Sequence, residues 1–153
     1  MEPRLFPHKL APKIMQAMIA LEKTVAEAGL EYSLYELVRI RASQINGCAY
    51  CIHMHTRDAR KAGETEERLY LVSAWRESPL FTPRERAALA WTEALTLLAQ
   101  TRAPDEDFDA LREHFTDEEI VKLSMAINVI NVWNRIAVGF RSVHPVAGHE
   151  AAA

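Results

Sequence analysis

The sequence has no sustained stretch in which apolar and polar residues alternate, and no glycine-rich turn that would carry a strand into a helix. A half-buried sheet needs the first and a dinucleotide or phosphate cradle the second, so a Rossmann unit and a P-loop are excluded. Charge of one sign is also missing. With 18 Lys and Arg against 21 Asp and Glu, the formal net charge is −3, which leaves no electrostatic footprint for nucleic acid. Short basic groupings such as Arg57, Arg60 and Lys61 read as a solvated helix face. Nor is there an uninterrupted apolar run. The most apolar stretch, 120–140, carries Lys122, Asn128, Asn131, Asn134 and Arg135, which are costly in lipid. The N-terminal residues lack a continuous apolar segment and a small-residue cleavage site. Together these absences predict a soluble, cytoplasmic protein with no membrane and no nucleic-acid partner.

What is present fits a globular chain. Hydrophobic residues make up 49% and charged residues 25% of the 153 positions, and neither value suggests disorder. The length suffices for a real core without staples. Without a repeat or a linker, the reading is one domain over 1–153.

The pattern predicts an all-α, compact helical domain. Pro12 sits in a first turn before a helix over 14–28, which Gly29 ends. Ser33 is a candidate N-cap with Glu36 at the capping-box position, opening a helix over 34–45. Asn46-Gly47 is a turn, and a further helix begins near Cys48 and ends near Gly63. Thr65 opens a short helix reaching about Trp75. Thr82, Pro83 and Glu85 form a strong start for a helix to about Gln100. Phe108, Leu111 and Phe115 share the spacing of one short helix. Thr116 with Glu119 caps a long apolar helix to about Val138, with Gly139 as its candidate end. Asn128, Asn131 and Asn134 recur along it and need buried partners or a subunit contact. The Ala-rich tail after Pro145 reads as frayed.

Cysteine is scarce as well: Cys48 and Cys51 are the two present. A bond between them closes a very small loop and constrains little unfolded-state entropy, so the pair is chemical rather than structural. On a helix beginning at Cys48, residues Cys51, Ile52, His55, Ala59 and Ala62 share one side, and His53 is rotated off it. Cys51 and His55, four apart, are neighbours. The first turn presents free N–H groups and a positive dipole end, which stabilise a thiolate. An adjacent imidazole can take the thiol proton. The thiolate attacks peroxide oxygen or disulfide sulfur, and the second cysteine closes a disulfide before overoxidation. His55 one turn from Cys51 favours Cys51 as nucleophile and Cys48 as resolving cysteine.

Glu36 is the candidate remote acid. The tight turn should pack its helix against that of His55 as a hairpin, with Glu36, Ile40 and Ser43 on one face. Its alternative is the capping partner of Ser33. Tyr50, between the cysteines, can bond to a peroxide or simply wall a pocket. Cys48, Cys51, His53 and His55 are possible metal ligands, but they crowd two turns and no second ligand pair follows. Neither a metal nor another cofactor is expected.

Glu36, eleven intervening residues, Cys48-Ala49-Tyr50-Cys51, three residues and His55 resemble the core motif of the alkylhydroperoxidase D-like family, within the carboxymuconolactone decarboxylase-like superfamily. Ser43 to Cys48 and Trp133-Asn134-Arg135 are similar to its members too. The resemblance implies an all-helical fold forming trimers or hexamers. It also implies a peroxidase in which the cysteine matching Cys51 meets peroxide and that matching Cys48 resolves it. The histidine matching His55 then relays a proton toward the glutamate matching Glu36. The best-known members carry a histidine where this chain has Tyr50, and draw electrons from a lipoyl-linked partner. The decarboxylase branch lacks the cysteine pair, so lactone chemistry is disfavoured.

Three functions compete at this level. The first is a thiol-dependent peroxidase for hydrogen or organic peroxides, served by an unidentified thiol or lipoyl-linked reductant. The second is a disulfide reductase or electron-transfer module. The third is a non-enzymatic redox-sensing assembly protein.

Overall fold

The structure is a computed structural model and describes residues 2–145. Among them every element is helical: α1 Pro7–Leu10, α2 Pro12–Ala26, α3 Tyr32–Ile45, α4 Ala49–Lys61, α5 Glu66–Leu71 with a 3₁₀ continuation Val72–Glu77, α6 Pro83–Thr96, α7 Leu98–Thr101, α8 Asp105–Arg112 and α9 Asp117–Phe140. The all-α reading holds. No helix among the described residues is long and apolar enough to cross a membrane.

Local chemistry explains the best-defined starts. Thr82 and Thr116 each accept a backbone N–H from Glu85 and Glu119, whose carboxylates bond back to the cap N–H groups. Each cap satisfies donors that the helix cannot, worth about 1 kcal/mol. Thr65 caps α5 the same way through Arg68 N–H.

Helix α3 is the centre of the molecule and packs on α4, α6 and α9. Leu37, Val38, Ile40 and Ala42 are fully buried along it. Its two sides feed different clusters. Leu34 and Val38 pack with Trp91, Leu111, Leu123 and Ile127, while Leu37 and Ile40 pack with Val72, Trp75 and Leu89. A third cluster encloses the cysteines, with Ala42 of α3 and Ile130 and Ala137 of α9. Truncating a fully buried leucine such as Leu37 to alanine costs about 2–5 kcal/mol.

Several sequence expectations are corrected. Ser33 does not cap α3. The helix starts two residues earlier, behind Glu31, which makes no side-chain cap. Ser33 instead donates to Glu64 at 3.2 Å, and Glu36 turns inward, where burial beside a partner is available. Helix α6 stops at Thr96 rather than near Gln100, because the chain tightens at Leu97 and the Thr101 hydroxyl donates to the Ala94 carbonyl at 2.6 Å. Gly139 does not end α9. The reversal comes at Arg141, with φ 57°, where the Arg141 and Ser142 N–H groups close on Val138 and Ala137. This is the hydrogen-bond pattern that satisfies a helix C-terminus. Asn128 is exposed and does not join Asn131 and Asn134 in the core. Ala62, at the C-cap of α4, is exposed as well. The expectation for the tail after Pro145 lies outside the described residues.

Candidate active site

The site is assembled at the α3–α4 turn. Gly47 has φ +65°, a conformation open to glycine at no steric cost. The Cys48 N–H then closes on the Ser43 carbonyl at 2.9 Å. Asn46 anchors this turn to α9 by donating from Nδ2 to Oδ1 of both Asn131 and Asn134, each at 2.9 Å. Asn134 donates in turn to the Ser43 hydroxyl at 3.0 Å, and Asn131 to the Thr96 hydroxyl at 3.0 Å. The buried amides of α9 therefore help to hold the turn that carries the cysteines, and Asn131 also ties α9 to α6.

Cys48 is the N-cap of α4 and is joined to Cys51 by a disulfide, with Cα atoms 5.4 Å apart. The Cys51 N–H donates to Cys48 Sγ at 3.3 Å. Sulfur thus occupies the place usually taken by a capping oxygen, where free N–H groups and the helix dipole favour negative charge. Both cysteines are buried.

His55 and Glu36 are each 1% exposed. The His55 ring reaches across from α4, and its Nδ1 lies 3.0 Å from Glu36 Oε2. Burial pushes the Glu36 carboxyl up. The hydrogen bond from His55 and the charge of Arg39 oppose that push, and the balance lies below the ordinary carboxylate value. An ionised carboxylate can only accept. Nδ1 therefore carries a proton, which leaves Nε2 as the acceptor nitrogen of the uncharged tautomer. This Nε2 is buried and has no hydrogen-bond partner among the described residues.

A cavity of about 440 Å³ opens on this group. Cys51 and His55 line it, together with Tyr50, Met54, Ile130, Trp133 and the Arg39–Glu22 pair, but Cys48 does not. The two sulfurs are therefore inequivalent: Cys51 faces the cavity, and Cys48 packs behind it against α3 and α9.

The expected residues Cys48, Cys51, His55 and Glu36 come together. Tyr50 lines the cavity, and its hydroxyl makes no hydrogen bond among the described residues. His53 lies off the face and stacks on His144, ring centroids 4.6 Å apart. Sequence reasoning missed Arg39 and Glu22. Arg39 donates to Glu36 Oε1 at 2.8 Å and to Glu22 Oε1 at 2.5 Å. The spacing of Arg39 three residues after Glu36 was a readable signal for an ion pair. Glu22 had none, because it arrives from α2. No group of three or more possible metal ligands gathers among the described residues.

The sequence model of the carboxymuconolactone decarboxylase family matches residues 12–94, a span that contains Glu22, Glu36, both cysteines and His55. An uncharacterized protein of Bacillus subtilis, YdfG, is 45% identical over 138 residues, covering 90% of this chain and 94% of its own length. A crystal structure from Agrobacterium tumefaciens, of a protein of unknown function put forward as an antioxidant defence protein AhpD, is 51% identical. It superimposes with a TM-score of 0.93 over 95% of this chain and 99% of its own. The debrominase Bmp8, at 21% identity, shares the fold with a TM-score of 0.77 over 89% of this chain and 73% of its own.

Proposed function

The chain belongs to the carboxymuconolactone decarboxylase family, and we propose that within it this protein is a thiol-dependent peroxidase. The observation that carries the reading is the pairing of a buried, unpartnered His55 Nε2 with a cysteine, Cys51, that lines the same cavity. In the reduced enzyme Nε2 takes the Cys51 thiol proton, leaving Glu36 to stabilise the imidazolium through Nδ1–H. The thiolate attacks the terminal peroxide oxygen. The S–O bond forms, the O–O bond breaks, and the alcohol departs with the proton that His55 returns. Cys51 is now a sulfenic acid. Cys48, ionised at the helix N-terminus, attacks its sulfur, and water leaves as the disulfide closes. Two electrons have passed from the thiols to the peroxide, and an external thiol or lipoyl-type dithiol must restore them.

The apolar walls of the cavity, Met54, Ile130, Trp133 and Ile136, support organic hydroperoxides ahead of hydrogen peroxide. A homo-oligomer is part of the proposal. Leu10 and Ile14 at the N-terminal end, and Val121 on α9, are more than 60% exposed, and a second copy would cover such residues. Stopped-flow oxidation of the reduced protein by cumene hydroperoxide tests the activity. Thiol loss no faster than that of free cysteine would overturn it.

A further inference from the structure

The relay pair His55–Glu36 is the inner end of a longer chain of charges. Arg39 bridges two carboxylates: Nη1 donates to Glu36 Oε1 and Nη2 to Glu22 Oε1. Its side chain is only 14% exposed and stacks on the Tyr35 ring at 4.3 Å. Glu22 is held in turn by the Tyr35 hydroxyl at 3.0 Å and by the Trp133 indole N–H, which donates to Oε2 at 2.9 Å. A glutamate of α2 is thus fixed by α3 and α9 where it meets one terminal nitrogen of Arg39 while Glu36 meets the other. Fixing two carboxylates on one guanidinium beside an apolar cavity is expensive, and all four carboxylate oxygens are engaged in offsetting that cost.

We infer that Glu22 and Arg39 are positioning residues that set the proton affinity of the Glu36–His55 pair from outside it. The inference rests on the relay reading above. Arg39 alone beside Glu36 would place a full positive charge next to His55. It would hold the carboxylate ionised, and it would also resist the imidazolium that forms when Nε2 accepts a proton. Glu22 offsets the charge of Arg39 and tempers that resistance, while leaving the Glu36 hydrogen bond intact. The two residues therefore act on the relay with opposite signs. The other titratable groups facing it are Tyr32 and Tyr35 of α3, His8 of α1, and Tyr50 with the cysteines at the start of α4. Helix α9 presents only neutral groups to the cavity, Ile130, Trp133, Ile136 and Ala137.

The test follows the pH dependence of iodoacetamide alkylation in the reduced protein, alongside the imidazole resonances by NMR. Glu22→Gln keeps one acceptor oxygen for Arg39 and Tyr35 and removes the charge, so the uncompensated Arg39 lowers the midpoint, by about one pH unit. Arg39→Gln leaves two carboxylates without their cation and raises it by a similar amount. Arg39→Lys keeps the charge and leaves the midpoint near wild type, and with Glu22→Gln it carries the test if Arg39→Gln does not fold. A merely structural role would lower the melting temperature of the variants without moving their midpoints in opposite directions. Shifts of the same sign, or none, overturn the inference. Opposite shifts in a protein that does not react quickly with peroxide would uphold it and remove only the peroxidase reading.

Discussion

His55 and Glu36 meet with Nδ1 and Oε2 3.0 Å apart, each almost wholly out of water. Because the carboxylate is ionised, this one contact fixes which ring nitrogen bears hydrogen and turns the other into a base. The orientation of the imidazole is thus a consequence of a residue 19 positions away in sequence.

Replacing Glu36 with glutamine should uncouple that choice, since an amide both donates and accepts. The rate of peroxide-driven thiol oxidation in Glu36→Gln should fall roughly 100-fold, the scale of a lost acid–base contribution. Stopped-flow fluorescence of the reduced variant measures it, and a rate equal to wild type would remove Glu36 from the relay.

The cysteines should separate in single turnover. Cys48→Ser retains the fast reaction with cumene hydroperoxide but halts at the sulfenic acid, which dimedone traps on Cys51. Cys51→Ser loses the fast phase. Mass spectrometry of the adducts decides, and a dimedone adduct on Cys48 with full speed in Cys51→Ser would reverse the assignment.

The latch between Asn46 and α9 should be worth more than its place in a turn suggests. Asn46→Ala strands the Oδ1 atom of the buried Asn134, while Asn131 Oδ1 keeps its bond from Arg135, at a cost of about 1–3 kcal/mol. The exposed Asn128 is the control, and Asn128→Ala should stay within about 0.5 kcal/mol of wild type. Urea unfolding compares them. Equal effects would mean that the latch contributes nothing.

Acid should weaken the start of α9. The Thr116 backbone N–H, and after it the Arg84 guanidinium, hold the Glu119 carboxyl down to about 2. A depressed carboxyl stabilises the fold above its ordinary value and loses that contribution as pH falls through the folded one. The melting-temperature gap between wild type and Glu119→Gln should therefore be full above pH 4.5 and close as pH approaches 2. A gap independent of pH would mean that the cap does not act through charge.

Much of the fold was legible because its signals are local. The threonine caps at Thr82 and Thr116 and the turn at Asn46-Gly47 depend on residues within a few positions of one another, and all three stand where their spacing put them. Helix ends were less legible. Ser33 carries the right chemistry for a cap, but helix α3 begins before it, and the inward pull of Glu36 toward His55 outweighs a capping-box bond at the surface. Gly139 is free to end a helix, yet α9 runs on to Phe140 and reverses at Arg141, whose N–H closes on the Ala137 and Val138 carbonyls.

The sequence by itself determined that two sulfurs and an imidazole share the opening turns of one helix, since helical periodicity is a property of neighbouring residues. It also placed a carboxylate on the facing helix, through the tight turn between them. Only the tertiary structure decided that Cys51 rather than Cys48 faces the cavity, that His55 presents Nε2 as its free nitrogen, and that Glu22 balances Arg39. Those three facts depend on α2 and α9 closing over the hairpin, and contacts between helices far apart in the chain leave no spacing to read.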